Sequence, residues 1–161
     1  MDHYVMFVDP CGGDDCIRTP TYAQIAERLN LGREYWQNPI GSGFGCFEYI
    51  QNQLVVETLG LTTVSNSEFF VVISRAGGMG NFLAVNELNT KDSWIEILDS
   101  GEQTSIPAIL FHPADRVLDL VMEFCNLEMR FAQELPNALT WVRNPVYGGA
   151  KQDRFKGDVA H

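Results

Sequence analysis

Residues 69–88 read FFVVISRAGGMGNFLAVNEL, and this stretch determines the predicted fold. Residues 69–74 are an almost continuous run of β-forming side chains, and residues 82–88 form a second run. The glycine-rich segment 76–81 between them is typical of a turn. Because so short a connection joins antiparallel neighbours, we expect the two runs to pair as a hairpin.

Two further strands are predicted downstream of this hairpin. Residues 93–98 follow a turn at 89–92, and residues 106–111 follow a turn at 99–102. Connections of this length again favour antiparallel pairing, so the sequence predicts a meander. With two predicted helices packed on one face of the antiparallel meander sheet, the expected fold class is α+β.

The N-terminal part of the chain adds a strand, a helix and a hairpin. Residues 4–8 are a short strand candidate, and residues 47–59 favour a hairpin whose turn is at 51–53. Thr19 has the chemistry of an N-cap and Gly32 that of a C-terminal stop. The first helix is therefore expected between these two residues.

The second predicted helix, over residues 113–130, is amphipathic. Its apolar side chains share one side, and its exposed side carries three acids, which we call the acidic ridge. The acidic ridge consists of Asp115, Asp119 and Glu123. Acids four residues apart on a helix repel one another by roughly a few tenths of a kcal/mol. The ridge is therefore either a solvated surface or a docking surface for a basic partner.

The whole chain is strongly acidic. Its 161 residues carry 21 Asp and Glu against 11 Lys and Arg, a formal net charge of -10. Binding to nucleic acids or anionic membranes needs clusters of basic side chains, so this charge argues against both and favours a basic protein as partner. No stretch approaches the ~18 consecutive apolar residues of a membrane span, and the N-terminus lacks the pattern of a signal peptide. We expect a cytoplasmic protein.

Length and composition are those of one domain. A chain of 161 residues that is 45% hydrophobic can bury a core without disulfides or a metal ion. We expect a single α+β domain over residues 1–143. Residues 144–161 are rich in Gly and contain a small basic cluster, and we expect them to form an irregular or flexible tail.

The cysteine and glycine patterns predict no metal and no cofactor. Cys11 and Cys16 have acids around them, as in a metal loop, but no second ligand pair completes a set of four. The glycines at 77–80 lack the spacing of a dinucleotide-binding fingerprint, and the loop at 38–45 lacks the lysine of a phosphate-binding loop. Without an export signal, a disulfide framework is not expected.

No catalytic constellation is recognisable, and we predict no enzymatic activity. His112, at the start of the second helix, is interpreted as a structural residue, with acid–base or metal chemistry as the alternative. Cys46 has no identifiable base in the sequence. Two other functions stay open: a small enzyme that joins Asp14, Asp15 and His112, and an oligomeric adaptor domain that pairs through a sheet edge.

Residues 69–141 resemble a known family. They combine the meander, a strand ending in Ile106-Pro107, an apolar helix face, and a proline followed by a Leu-Thr-Trp strand. The apolar helix positions are Ala114, Val117, Val121 and Phe124. The proline is Pro136, and the strand residues are Leu139, Thr140 and Trp141. Together with the glycine-rich hairpin, this arrangement is similar to the small α+β immunity proteins of bacterial polymorphic toxin systems, of the type associated with deaminase and nuclease toxins.

The resemblance implies a cytoplasmic antidote that binds a cognate toxin domain and occludes its basic active-site cleft without doing chemistry. The acidic composition agrees, since a basic cleft attracts an acidic inhibitor. Whether the antidote is a monomer or a homodimer stays open. The predicted partner contacts are the acidic ridge and three acids around the third strand of the meander: Asp115, Asp119, Glu123, Glu96, Asp99 and Glu102.

Overall fold

The computed structural model describes residues 2–8, 16–37, 43–89, 93–99 and 102–144. These residues form an eight-stranded sheet, a separate two-stranded sheet and four α-helices. All strand pairs are antiparallel in this part of the chain, and the predicted α+β class is confirmed. None of the described helices is long and apolar enough to cross a membrane.

The strands are, in chain order, β1 (His3–Val8), β2 (Ile17–Arg18), β3 (Phe44–Gln51), β4 (Leu54–Thr63), β5 (Glu68–Arg75), β6 (Gly80–Val85), β7 (Trp94–Asp99), β8 (Glu102–Pro107), β9 (Phe111–Pro113) and β10 (Thr140–Asn144). The α-helices are α1 (Tyr22–Asn30), α2 (Gly32–Trp36), α3 (Ala114–Phe124) and α4 (Leu127–Ala132). Short 3-10 turns at Ala76–Gly78 and Ala108–Leu110 follow β5 and β8.

The centre of the main sheet is a meander. The strands of the main sheet lie side by side in the order β10-β6-β5-β4-β3-β1-β2, and β9 pairs with β5 outside this order. The two predicted hairpins are present as β3–β4 and β5–β6. Asn52 and Gln53, which connect β3 to β4, both have positive φ, of 51° and 68°. Positive φ at both central residues is the geometry of a type I′ turn, whose twist matches that of the strands it joins.

The predicted third and fourth strands do not extend this meander. The predicted third strand is β7, and it pairs with β8 in the separate two-stranded sheet. The predicted bounds of the fourth strand, 106–111, are wrong: β8 begins at Glu102 and ends at Pro107, Ala108–Leu110 is a 3-10 turn, and Phe111 begins β9, which pairs with β5. The place beside β6 is taken by β10, with Thr140 opposite Val85. Short turns predict which strands are antiparallel neighbours, but they do not determine whether a hairpin stays in the sheet that precedes it.

Strand β5 is buried on both of its faces. Phe69 and Val71 belong to the core beneath the helices, whereas Phe70 and Val72 belong to a second core on the opposite face. Ile106 of β8 is part of this second core, so the β7–β8 hairpin covers the face that the helices leave open. Because side chains alternate along a strand, burial on both faces requires the continuous apolar run seen in the sequence.

The first helix begins later than predicted, with Thr21 rather than Thr19 as its N-cap. The Thr21 hydroxyl accepts a hydrogen bond from the Gln24 backbone N–H, and the Gln24 side chain accepts one from the Thr21 backbone N–H. This reciprocal capping box satisfies two backbone donors, which explains why the helix starts there. α1 ends at Asn30 with Leu31 as its C-cap, and Gly32, the predicted stop, has a φ of +76° and begins α2, a short helix that the sequence did not predict.

The single helix predicted over residues 113–130 is two helices. α3 ends at Phe124, and α4 starts after Asn126, whose side chain accepts hydrogen bonds from the backbone N–H groups of Glu128 and Met129. An asparagine cap satisfies donors at a helix start, so it favours a new helix over a continuous one. The apolar face of α3 is fully buried through Val117, Leu120, Val121 and Phe124.

Candidate functional site

The acidic ridge lies on the outer side of α3. Asp115 and Asp119 are exposed, and no ion pair within the described residues involves either of them. Glu123 is half-buried, and its Oε2 accepts a hydrogen bond from the backbone N–H of Asn137 at 2.6 Å. The ridge therefore presents two acids to solvent, while the third also anchors the segment that leads into β10.

Arg116 shares this outer side with the acids, a feature that the sequence prediction left out. Its side chain is exposed, and its Nη2 donates a hydrogen bond to the backbone oxygen of Ala138 at 2.9 Å. The hydrogen bond from the Asn137 backbone N–H to Glu123 fixes the residue that precedes Ala138. These two bonds hold the 137–138 segment alongside α3, so the outer surface of the helix and this segment form one continuous region.

The other three candidate acids belong to the β7–β8 hairpin. Glu96 is exposed on β7, and Asp99 and Glu102 are opposite each other at the ends of the two strands. The helices cover one face of the main sheet and the hairpin covers the other. The acidic ridge and the β7–β8 hairpin, which carries the other three candidate acids, therefore lie on opposite faces of the main sheet.

A cleft of about 580 Å³ opens beside the N-terminal end of α3. Its walls are the 86–89 turn after β6, the 112–116 junction between β9 and α3, and the 137–140 segment. Its polar lining comprises Glu68, Asn86, Glu87, Asn89, His112, Arg116, Asn137 and Thr140. Because the 137–138 segment is bonded to the outer side of α3, the cleft and the acidic ridge are neighbours on the protein surface.

The 86–89 turn is held by its two asparagine side chains. Asn86 Nδ2 donates to the Phe111 backbone oxygen at 2.8 Å, and Asn89 Nδ2 donates to the Ala108 backbone oxygen at 2.6 Å. Within this turn Leu88 is 90% exposed. A turn whose backbone is held before binding loses less entropy when a partner covers it, so Leu88 is a suitable apolar contact at the rim of the cleft.

His112 is the buried polar group of the cleft, with only 1% of its surface exposed. Its Nε2 lies 2.9 Å from the backbone oxygen of Ala84, and because a carbonyl only accepts, Nε2 carries the proton. Burial is the main reason that the pKa of His112 is lowered, so the ring is neutral near pH 7. Its Nδ1 then keeps a lone pair for which the described residues provide no donor.

A second polar cluster, which the sequence analysis missed, is buried between α4 and the sheet. Glu57 of β4 is 3% exposed and accepts hydrogen bonds from Arg75 Nε, at 2.6 Å, and from Arg130 Nη1. The two arginines also donate to backbone oxygens, Arg75 to that of Gln133 and Arg130 to that of Glu134. Since the three residues are far apart in sequence, no local pattern announces this cluster, and its internal pairing indicates a structural role.

The thiols of Cys46 and Cys125 are not activated for catalysis. Cys16 is exposed, whereas Cys46 and Cys125 are largely buried, and all three are free. Burial raises the pKa of both Cys46 and Cys125 to about 12. Because the thiolate is the nucleophile, neither residue is reactive near neutral pH.

Several predicted features lie outside the described residues. These are Cys11 and the acids Asp14 and Asp15, the loop residues 38–42, and residues 145–161 of the predicted tail. The metal-loop alternative and the enzyme alternative both depend on that N-terminal stretch. Among the residues that the structure describes, no group of three or more His, Cys, Asp or Glu side chains could hold a metal ion.

Comparison of the chain with protein-family models gives no match, and comparison with curated proteins gives none either.

Proposed function

We propose that this protein is a cytoplasmic immunity protein that binds a cognate toxin domain, a deaminase or a nuclease, and occludes its basic active-site cleft. The observation that carries the proposal is the exposed pair Asp115 and Asp119 on α3, in a chain with a net charge of -10. A toxin that acts on nucleic acid needs a basic cleft, because its substrate is a polyanion. Acids on an inhibitor complement such a cleft and accelerate association.

The packing of α3 supports its use as a docking element. Its apolar face is fully buried, which fixes the helix on the sheet. On its outer side, Arg116 and Glu123 are bonded to the 137–138 segment, so the surroundings of the exposed acids are held in place as well. A surface ordered before binding loses little conformational entropy when the complex forms.

The chemistry of the described residues favours binding over catalysis. Nucleophilic catalysis requires a nucleophile within hydrogen-bond reach of a base. The described hydrogen bond of the His112 ring is to a backbone oxygen, and the buried thiols are protonated at neutral pH. Occlusion of a partner's active site requires only a complementary surface, and we propose that the protein acts in this way.

Co-expression with a toxic domain tests the proposal. The chain should co-purify with the toxic C-terminal domain encoded by a neighbouring reading frame and should restore growth of cells that express this domain. The double variant D115N/D119N should lower the affinity by about tenfold or more, because each lost acid leaves a basic group of the partner without its counter-charge. Its thermal midpoint should stay at the wild-type value, since both side chains are exposed.

The matched control is E27Q/E34Q, which removes the same two charges from exposed positions on α1 and α2. Affinity and growth should be close to wild type in this variant. If the folded D115N/D119N variant protects and binds as wild type does, α3 is not the contact surface, and Glu96 on the hairpin becomes the next position to test. If the wild-type chain neither binds nor protects, the immunity proposal is wrong.

A further inference from the structure

We infer that the cleft beside α3 is a receptor for a guanidinium group, into which a basic partner inserts an arginine side chain. The partner is the basic protein of the proposed function, on which this inference rests. The inference adds a second, concave contact to the acidic ridge and identifies the chemical group that it accepts.

The lining of the cleft is rich in hydrogen-bond acceptors. Glu68 and Glu87 supply two carboxylates to the lining. Among the described residues, the one hydrogen bond to these carboxylates is donated by the Ser65 hydroxyl to Glu68 Oε2, at 3.1 Å. Asn86 donates from Nδ2 to the Phe111 backbone oxygen and accepts at Oδ1 from the Leu88 backbone N–H, at 3.2 Å, so its side chain holds the turn and is not a free acceptor. A guanidinium has five N–H donors in one plane and no acceptor, so its hydrogen-bonding requirement is complementary to this lining.

The ring of His112 supplies a further acceptor to the cleft. Its Nε2–H is used by the Ala84 backbone oxygen, and the described residues offer no donor to Nδ1. The ring is only 1% exposed, yet its Nδ1 is not one of the fully buried polar atoms that lack a partner among the described residues, so it is accessible from the cleft that His112 lines. An N–H group entering the cleft can donate to this nitrogen.

Shape and apolar contacts fit an arginine side chain as well. A cleft of about 580 Å³ lies within the range of small-ligand pockets, which is roughly 300–1,000 Å³. Leu88 and Leu139 line it beside the polar groups. The aliphatic stem of an arginine packs on apolar side chains while its head group reaches polar ones, so these leucines complement the stem.

Arg116 is the one cation in the lining. Whether removal of its charge strengthens or weakens ligand binding therefore tests the inference. Its Nη2 is bonded to the Ala138 backbone oxygen, yet its charge still repels a second guanidinium. Removal of this charge should therefore strengthen the binding of a cation. If the cleft instead recognises an anion or a zwitterion, the same change should weaken binding, because Arg116 would be the group that holds the carboxylate or phosphate.

The probe is an acetylated and amidated tetra-arginine peptide, titrated at low salt into the isotope-labelled full chain and followed by NMR. We expect saturable shifts of the backbone amides at 86–89, 112–116 and 137–140. The same peptide built from citrulline keeps the shape of arginine and removes the charge, and it should not bind. E87Q should weaken binding by about threefold or more, and R116Q should strengthen it by about twofold or more.

The control variant E27Q/E34Q should bind the peptide within about twofold of wild type, since screened charges outside the cleft contribute little. Shifts spread evenly over the acidic surface, equal binding of the citrulline peptide, or weaker binding by R116Q would each overturn the inference. This failure is distinct from failure of the proposed function. A chain that still binds the toxin through Asp115 and Asp119, but does not bind the peptide in the cleft, would refute only the guanidinium site.

Discussion

Glu57 of β4 and Arg130 of α4 are 73 residues apart in the chain and form an ion pair in the interior of the protein. The Arg130 guanidinium also lies over the Phe124 ring, with its Cζ 4.5 Å from the ring centroid. Arg75 supplies a second positive charge to Glu57. The short helix α4 is thereby joined to the sheet by charge as well as by apolar packing.

Removal of one member of this pair should destabilise the fold strongly. We expect Arg130→Met to lower the free energy of unfolding by about 2–4 kcal/mol, because it leaves the Glu57 carboxylate buried with Arg75 as its remaining partner. Urea unfolding measures the change. The control is Arg33→Met at an exposed position of α2, which should change stability by less than about 0.5 kcal/mol. A loss below about 1 kcal/mol in Arg130→Met would contradict the buried role of the pair.

The lowered pKa of His112 predicts a loss of stability in mild acid. Burial holds this pKa below its ordinary value of 6.5, so the unfolded chain binds a proton at a higher pH than the folded chain does. The free energy of unfolding should therefore fall as the pH drops below 6.5, by up to about 1.4 kcal/mol per unit, until His112 titrates in the folded protein.

The measurement is the difference in stability between wild type and His112→Gln from pH 7.5 to 5, because other titrating groups largely cancel in that difference. We expect the wild-type advantage to shrink as the pH falls. A difference that is constant with pH would show that His112 titrates alike in the folded and unfolded states.

The β3–β4 turn should be improved by glycine. Gln53 has a φ of 68°, a conformation that a side chain with a Cβ adopts at a cost and that glycine adopts freely. Gln53→Gly creates the Asn-Gly pair preferred in type I′ turns and should raise the free energy of unfolding by about 0.5–1 kcal/mol. The control is Gln103→Gly, at an exposed position in β8 where φ is not positive. This variant should lower the free energy of unfolding, because glycine is unfavourable within a strand. Equal losses in both variants would contradict the turn assignment.

Association with the toxin should be electrostatically steered. Because the chain has a net charge of -10 and exposes Asp115 and Asp119, we expect the association rate to fall by about tenfold or more from low to high salt, with a smaller change in dissociation. Stopped-flow fluorescence measures both rates. The D115N/D119N variant should show a weaker salt dependence. An association rate independent of salt would refute steering and leave binding itself intact.

Features that depend on neighbouring residues were predicted from the sequence. The run at 69–74, the glycine-rich turn after it and the hairpin around Asn52 are local, since side-chain type and turn geometry determine them within a few residues. The amphipathic pattern of α3 also predicted correctly which side is buried. The shift of the first cap to Thr21 and the break at Asn126 were missed, although both depend on short capping patterns that a sequence contains.

The position of each element in three dimensions was decided by the tertiary structure alone. β10 rather than β7 lies beside β6, and the β7–β8 hairpin lies on the second face of the sheet, because β5 has apolar side chains on both faces that must be covered. The same packing separates Glu96 from the acidic ridge, joins Glu57 to Arg130 and builds the cleft around His112. The sequence by itself determined local conformation and overall charge, since these depend on residue type and short spacing. Surfaces and buried pairs depend on contacts between residues far apart in the chain, which only the complete core specifies.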